Sequence, residues 1–118
     1  MKMKNININT FNAWVLKGKD EGMEKGHAPS VNKMFNIIDS KTSILNRSFN
    51  FLDIGCGNGW VVRKFSNHKN CNLAMGIDGA PAMIDKAKRL DDKGNYITAN
   101  IEEWTGNDSF DIIFSMET

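Results

Sequence analysis

Apolar positions along the chain switch repeatedly between helical and strand periods, and each change marks an element. Residues 1–9 are polar and Asn-rich, as expected of a frayed tail. Phe11, Trp14, Val15 and Leu16 then form an apolar cluster that predicts a helix of about two turns. Residues 18–27, GKDEGMEKGH, carry no apolar face. Their glycines at 18, 22 and 26 share the spacing of a membrane helix-packing motif, but the charges between them exclude that reading; a mobile or irregular connection is expected, with room for a short helical piece. Val31, Met34, Phe35, Ile38 and Leu45 lie on one face at the 3.6-residue period. Pro29 and Ser30 stand where a helix start is expected, so a helix is predicted over 30–45. Phe49 to Ile54 is a short, mainly apolar run without a helical face, the pattern of a buried parallel strand.

The rest of the chain alternates. Val61, Val62 and Phe65 make the inner face of a short helix, and Cys71 to Ile77 a second strand ending at Asp78. Pro81 suits a first helical turn, with Met83, Ile84, Ala87 and Leu90 as that helix's apolar face. Tyr96–Ala99 and Phe110–Ser115 read as third and fourth strands, joined by a polar connection that contains Trp104. Strand, helix, strand, helix, strand, connection, strand implies an α/β fold with a parallel sheet and right-handed crossovers.

Chemistry concentrates at the first crossover. The first strand ends in Asp53, and Gly55-Cys56-Gly57-Asn58-Gly59 follows at once. The second strand ends in an acid, Asp78, 19 positions after Gly59. Glycines allow positive φ and let a ligand lie against the main chain. Ligands of open α/β sheets bind beyond the carboxyl ends of the strands, where a carboxylate can accept ribose hydroxyls. A dinucleotide fingerprint needs its third glycine at position 60, but Trp60 stands there and its ring would hinder close helix–strand packing. A nicotinamide-dependent oxidoreductase is therefore disfavoured.

The segment FLDIGCGNGW, residues 51–60, resembles the first motif of class I S-adenosylmethionine-dependent methyltransferases. GIDGAPAMIDKAK (76–88), NYITANIEEW (95–104) and FDIIFSMET (110–118) resemble that family's next three motifs, in order. The resemblance implies a truncated Rossmann-like fold with a parallel sheet in the order 3-2-1-4 and flanking helices. It implies S-adenosylmethionine as cofactor, with Asp53, Gly55, Cys56, Gly57 and Gly59 under its methionine part. Asp78 would hold the ribose, Gly79 and Met83 would flank the adenine, and Asn100 and Ile101 would close over it. The family usually has Asp where Asn100 stands; an amide oxygen still accepts a hydrogen bond, without charge, so weaker binding is expected. No catalytic residue is assigned, because displacement at a methyl needs a base only if the acceptor must lose a proton. The match implies that residues 46–118 are the first half of a cofactor-binding domain, with 1–45 a tail, leading helices and a lid loop. It also implies that this chain is a fragment. A non-catalytic S-adenosylmethionine-binding piece is the alternative reading. The fourth strand, with Ile112, Ile113 and Phe114, is expected to form an open apolar edge suited to self-association.

Composition adds exclusions. The 118 residues carry 15 Lys and Arg against 14 Asp and Glu. That near-balance favours a small-molecule acceptor over nucleic acid or an anionic membrane. Cys56 and Cys71 fit neither a disulfide framework nor a zinc site, and no metal is expected. With neither a signal-peptide core nor roughly 20 consecutive apolar residues, a cytoplasmic protein is expected. Trp60 and Trp104 read as packing residues and His68 as a solvated loop residue. For His27 and Glu117 a role at the reaction centre and a plain surface role both stay open.

Overall fold

The structure, a computed structural model, describes residues 19–102, 104 and 109–115. The expected tail, the cluster from Phe11 to Leu16, and Glu117 lie outside the described residues. The described elements are helix α1 (Lys19–Lys41), a 3-10 turn (Ile44–Asn46), β1 (Phe49–Ile54), α2 (Trp60–Ser66), β2 (Cys71–Asp78), α3 (Pro81–Leu90), β3 (Asn95–Thr98) and β4 (Ile112–Phe114).

The four strands form one sheet in the order β3-β2-β1-β4, and every pairing is parallel. Two successive right-handed crossovers step the chain from β1 to β2 to β3, which sends α2 and α3 to the same face. The chain then returns to the other side of β1. Asp53 thus sits between Gly76 of β2 and Phe114 of β4, at the point where strand order reverses. This is the parallel α/β arrangement, in the order 3-2-1-4 with flanking helices, that the resemblance leads one to expect.

Strand alternation sorts the core. Phe49 and Phe51 point to the helix-covered face, where they meet Val31 of α1, Val61, Val62 and Phe65 of α2, and Ile84 and Ala87 of α3. Phe51 and Phe65 stack with centroids 4.0 Å apart, and Phe35 of α1 meets Phe65 edge-on at 5.2 Å. Full burial of the Phe51 and Phe65 rings contributes about 2 kcal/mol each. On the opposite face Leu52, Met75 and Ile77 are covered by Ile54, Ala99, Ile101, Trp104 and Phe110. At the foot of the sheet, Asn50 fixes β4: its backbone N–H donates to Asp111 Oδ2 and its Nδ2 to the Ser109 carbonyl, both at 2.9 Å. Asn72 Nδ2 donates to Asn50 Oδ1 from the other side.

Three expectations need correction. The leading helix begins at Lys19, not at Ser30, and runs through Pro29. Proline forfeits a hydrogen bond and crowds the preceding turn, so the sequence alone argues for a break there. Tertiary anchors on both sides of Pro29 override it: Glu24 bonds to Asn58, and Val31 enters the core. The helix also ends earlier, at Lys41, where the Thr42 hydroxyl donates to the Ile38 carbonyl, and Leu45 is buried from the separate 3-10 turn. Leu90 is not part of the buried face of α3 but 53% exposed. The buried stripe stops at Ala87, because the chain leaves the helix at Asp91, whose carboxylate accepts the Lys93 and Gly94 N–H groups and turns it back toward β3.

Candidate functional site

The carboxyl ends of β1 and β2 present the glycine loop and both acids together. Gly55, Gly57 and Gly59 all have positive φ, at 79°, 57° and 84°. The loop is tied to β2 by the Gly55 and Cys56 N–H groups, which donate to the Ile77 carbonyl at 2.8 and 2.9 Å. Gly57 N–H donates to Asp78 Oδ2 at 2.9 Å, and Ala80 N–H to Asp78 Oδ1 at 2.9 Å. Asp78 is thereby locked between the loop and the start of α3, with one lone pair of each oxygen still available. Burial raises its pKa against the lowering effect of those two N–H bonds.

Asp53 lies on the helix-covered side, two residues after Phe51 along β1, and only 3% of it is exposed. Its Oδ1 is buried without a hydrogen-bond partner. Burial first, and then the negative charge of Asp78, hold its carboxyl up at about 8. A buried polar atom left unpaired costs about 1–3 kcal/mol, and two neighbouring buried carboxyls call for a positive partner.

Two glycines make the packing here possible. A Cβ on Gly59 would lie 2.6 Å from the Tyr96 ring, whose hydroxyl donates to Asp91 Oδ2 at 2.6 Å. A Cβ on Gly76 would lie 2.7 Å from Cys56 Sγ and 2.8 Å from its Cβ. Gly76 therefore makes room for the Cys56 side chain inside the core. The Cys56 thiol is pushed up by burial and by the charges of Asp78 and Asp53, which makes it inert as a nucleophile.

The structure brings Asp53, Gly55, Cys56, Gly57, Gly59, Asp78 and Met83 together: Met83 Sδ is 3.9 Å from where a Gly57 Cβ would be. Gly79 is half-buried directly after Asp78. Asn100 follows Ala99, whose N–H donates to the Asp78 carbonyl. Its Oδ1 accepts the Glu102 N–H at 3.0 Å, and its carbonyl accepts the Trp104 N–H at 2.9 Å. Ile101 is half-buried beside Leu52 and Ile77. His27 is exposed on α1. His68 is not a solvated loop residue: its Nδ1 accepts the Asn70 N–H, and its ring meets Phe49 at 5.4 Å. Trp60 and Trp104 both pack against the core. Cys56 and Cys71 are free thiols. Among the described residues no helix is long and apolar enough to cross a membrane.

Sequence reasoning missed Glu24, Asn58 and Arg63. Glu24 Oε1 accepts Asn58 Nδ2 at 3.1 Å and lies 3.6 Å from Arg63 Nη2. Arg63 Nη1 donates to the Asn58 carbonyl at 2.6 Å, and Asn58 Oδ1 accepts the Trp60 N–H. The one available signal was an Asn within the glycine loop; nothing in the spacing pointed to residue 24.

Compared with known proteins, residues 51–118 match the family described as Methyltransferase domain. Malonyl-(acyl-carrier protein) O-methyltransferase 1 of Ilyobacter polytropus is 33% identical over 79 residues, which cover 61% of this chain and 28% of that protein. The structure of the DhpI-SAH complex matches with a TM-score of 0.68 at 18% identity, over 92% of this chain and 50% of that one. A chain in a complex that contains the Haloferax volcanii Trm112 methyltransferase activator matches with a TM-score of 0.66 at 25% identity, over 89% of this chain and 46% of that one. The chain thus spans about a quarter to a half of the length of these relatives.

Proposed function

Since the chain belongs to the methyltransferase-domain family, we propose that it binds S-adenosylmethionine over the carboxyl ends of β1 and β2 and serves methyl transfer to a small-molecule acceptor. The observation that carries this reading is the buried, unpartnered Oδ1 of Asp53 beside the second buried acid, Asp78. The cofactor is cationic at its ammonium and sulfonium groups, so the residues present suit it. Bound there, it supplies a methyl group on a good leaving group.

The protein's part is to bind and orient. Asp53 offers its free oxygen to the positive methionine end. Gly55 to Gly59 present main chain; the Cys56 side chain turns into the core against Gly76, and that of Asn58 is held by Glu24 and the Trp60 N–H. Asp78, pre-set by Gly57 and Ala80, offers its two remaining lone pairs to a ribose diol. Gly79 and Met83 flank the adenine, and Asn100 and Ile101 close over it; the Asn100 amide oxygen keeps one lone pair beyond its bond to Glu102. Alignment of this kind supplies much of the acceleration of an in-line displacement. Residues 46–118 form the cofactor-binding unit in this reading, and 1–45 lead into it and cover it. Two free thiols suit a reducing cytoplasm. The side of β4 that pairs with no strand among the described residues, where Ile113 is 63% exposed, is read as a surface for self-association.

Calorimetric titration with S-adenosylhomocysteine tests the cofactor site. Binding by the 118-residue chain that Asp78→Ala loses while remaining folded is the expected result. A folded wild-type chain that does not bind would refute it. Transfer of tritiated methyl from S-adenosylmethionine into a small-molecule extract separates an enzyme from the alternative, a non-catalytic binding piece.

A further inference from the structure

From the contacts at the base of the glycine loop we infer that Glu24 of α1 is a positioning residue for the cofactor loop, acting through Asn58 and seconded by Arg63. This deepens the cofactor reading above and rests on it for its effect on ligand affinity.

Asn58 is the one non-glycine position between Gly57 and Gly59, and it is buried. Its side chain works in two directions. Oδ1 accepts the Trp60 N–H at 3.1 Å, closing the loop onto the first residue of α2. Nδ2 donates to Glu24 Oε1 at 3.1 Å, tying the loop to a helix 34 residues earlier in the chain. Arg63, one turn into α2, completes the ring: Nη1 holds the Asn58 carbonyl at 2.6 Å, and Nη2 stands 3.6 Å from the same Glu24 oxygen. Three elements thereby converge on one residue of the loop.

The arrangement has a direction. An Asn side chain can rotate its amide by half a turn and exchange donor for acceptor. Glu24 is acceptor-only when ionised, so together with the donor-only Trp60 N–H it favours the orientation that turns Nδ2 to α1 and Oδ1 to Trp60. Without that acceptor the amide loses its tie to α1, and the bond to the Trp60 N–H loosens with it. The positive φ of Gly57 and Gly59 leaves these residues easy to displace, so loop shape depends on the anchor between them. The packing of α1 is maintained separately by Val31 and Phe35, so removing the Glu24 carboxylate disturbs the loop rather than the docking of the helix.

The test compares Glu24→Leu with Glu24→Gln in the full chain. Gln keeps an acceptor for Asn58 Nδ2 and removes the charge. Glu24→Leu is expected to weaken S-adenosylhomocysteine binding roughly tenfold, the effect of one partly buried hydrogen bond to a charged group, while Glu24→Gln stays within about threefold of wild type. In the same samples, amide hydrogen exchange at Trp60 should speed up severalfold in Glu24→Leu and not in Glu24→Gln. Binding and exchange in folded Glu24→Leu that match wild type would overturn the inference. So would Glu24→Gln behaving like Glu24→Leu, since the charge opposite Arg63 would then be what counts. If the wild-type chain binds no S-adenosylhomocysteine, the cofactor reading fails, and exchange at Trp60 alone decides the role of Glu24.

Discussion

Replacing Asp53 by asparagine should flatten the dependence of stability on pH. The Asp53 carboxyl moves from 3.8 to about 8 on folding, through burial and the nearby charge of Asp78. Below about 4 the group is protonated in both folded and unfolded chains, so it costs nothing. Between about 4 and 8 the folded chain retains a proton that the unfolded chain releases, and stability falls as pH rises, by about 1.4 kcal/mol per unit for this group. Above about 8 both states are ionised and the penalty levels off, at up to about 6 kcal/mol over the window. That is comparable to the whole stability of a small domain. An amide at this position carries no charge at any pH, so Asp53→Asn should match wild type near pH 4 and exceed it by several kcal/mol at pH 8. Urea unfolding at pH 4, 5, 6, 7 and 8 measures this directly. S-adenosylhomocysteine should bind wild type more tightly as pH rises toward 8, because its ammonium favours ionised Asp53, and Asp53→Asn should lack that rise. Parallel stability profiles for the two proteins would show that Asp53 ionises normally in the fold and would remove the argument for a cation above it.

Gly59→Ala should cost about 3 kcal/mol: roughly 1–2 for a residue with a side chain in the left-handed region, and a similar amount for overpacking against the Tyr96 ring. Urea unfolding checks it, and a loss below 1 kcal/mol would mean the ring moves aside freely. Ile113→Lys places a charge on the open strand edge, and sedimentation velocity should show the wild-type chain associating at concentrations where Ile113→Lys stays monomeric. Identical sedimentation of the two would rule out association through β4.

The strands and the glycine loop were legible because their cause is local. A continuous apolar run bounded by glycine reads as a buried parallel strand, and Asp53, Gly55–Gly59 and Asp78 stand at strand ends whose position follows from alternation. Strand order came with the resemblance and not from periodicity. What escaped has causes that are far apart in the chain. Pro29 argues for a helix start, and the anchors that overrule it, Asn58 and the core around Val31, lie outside its neighbourhood. Gly76 reads as an ordinary strand residue until Cys56 is seen to occupy its side-chain space. His68 has polar neighbours in sequence and aromatic ones in space.

The asparagine clamp at the foot of the sheet bears on how the chain assembles. It joins residues 61 apart, Asn50 to Asp111, whereas Asn50 and Asn72 are 22 apart. Loop closure over the longer span costs only about 1 kcal/mol more than over the shorter, because the entropy grows with the logarithm of length. What sets β4 apart is the brevity of its pairing, three residues against β1, which leaves its docking dependent on those side-chain bonds. Its alignment is therefore decided at the end of the sheet away from the glycine loop. Folding-rate changes from substitutions at Asn50 and ligand-affinity changes from substitutions at Asp53 report on opposite ends of the same strand.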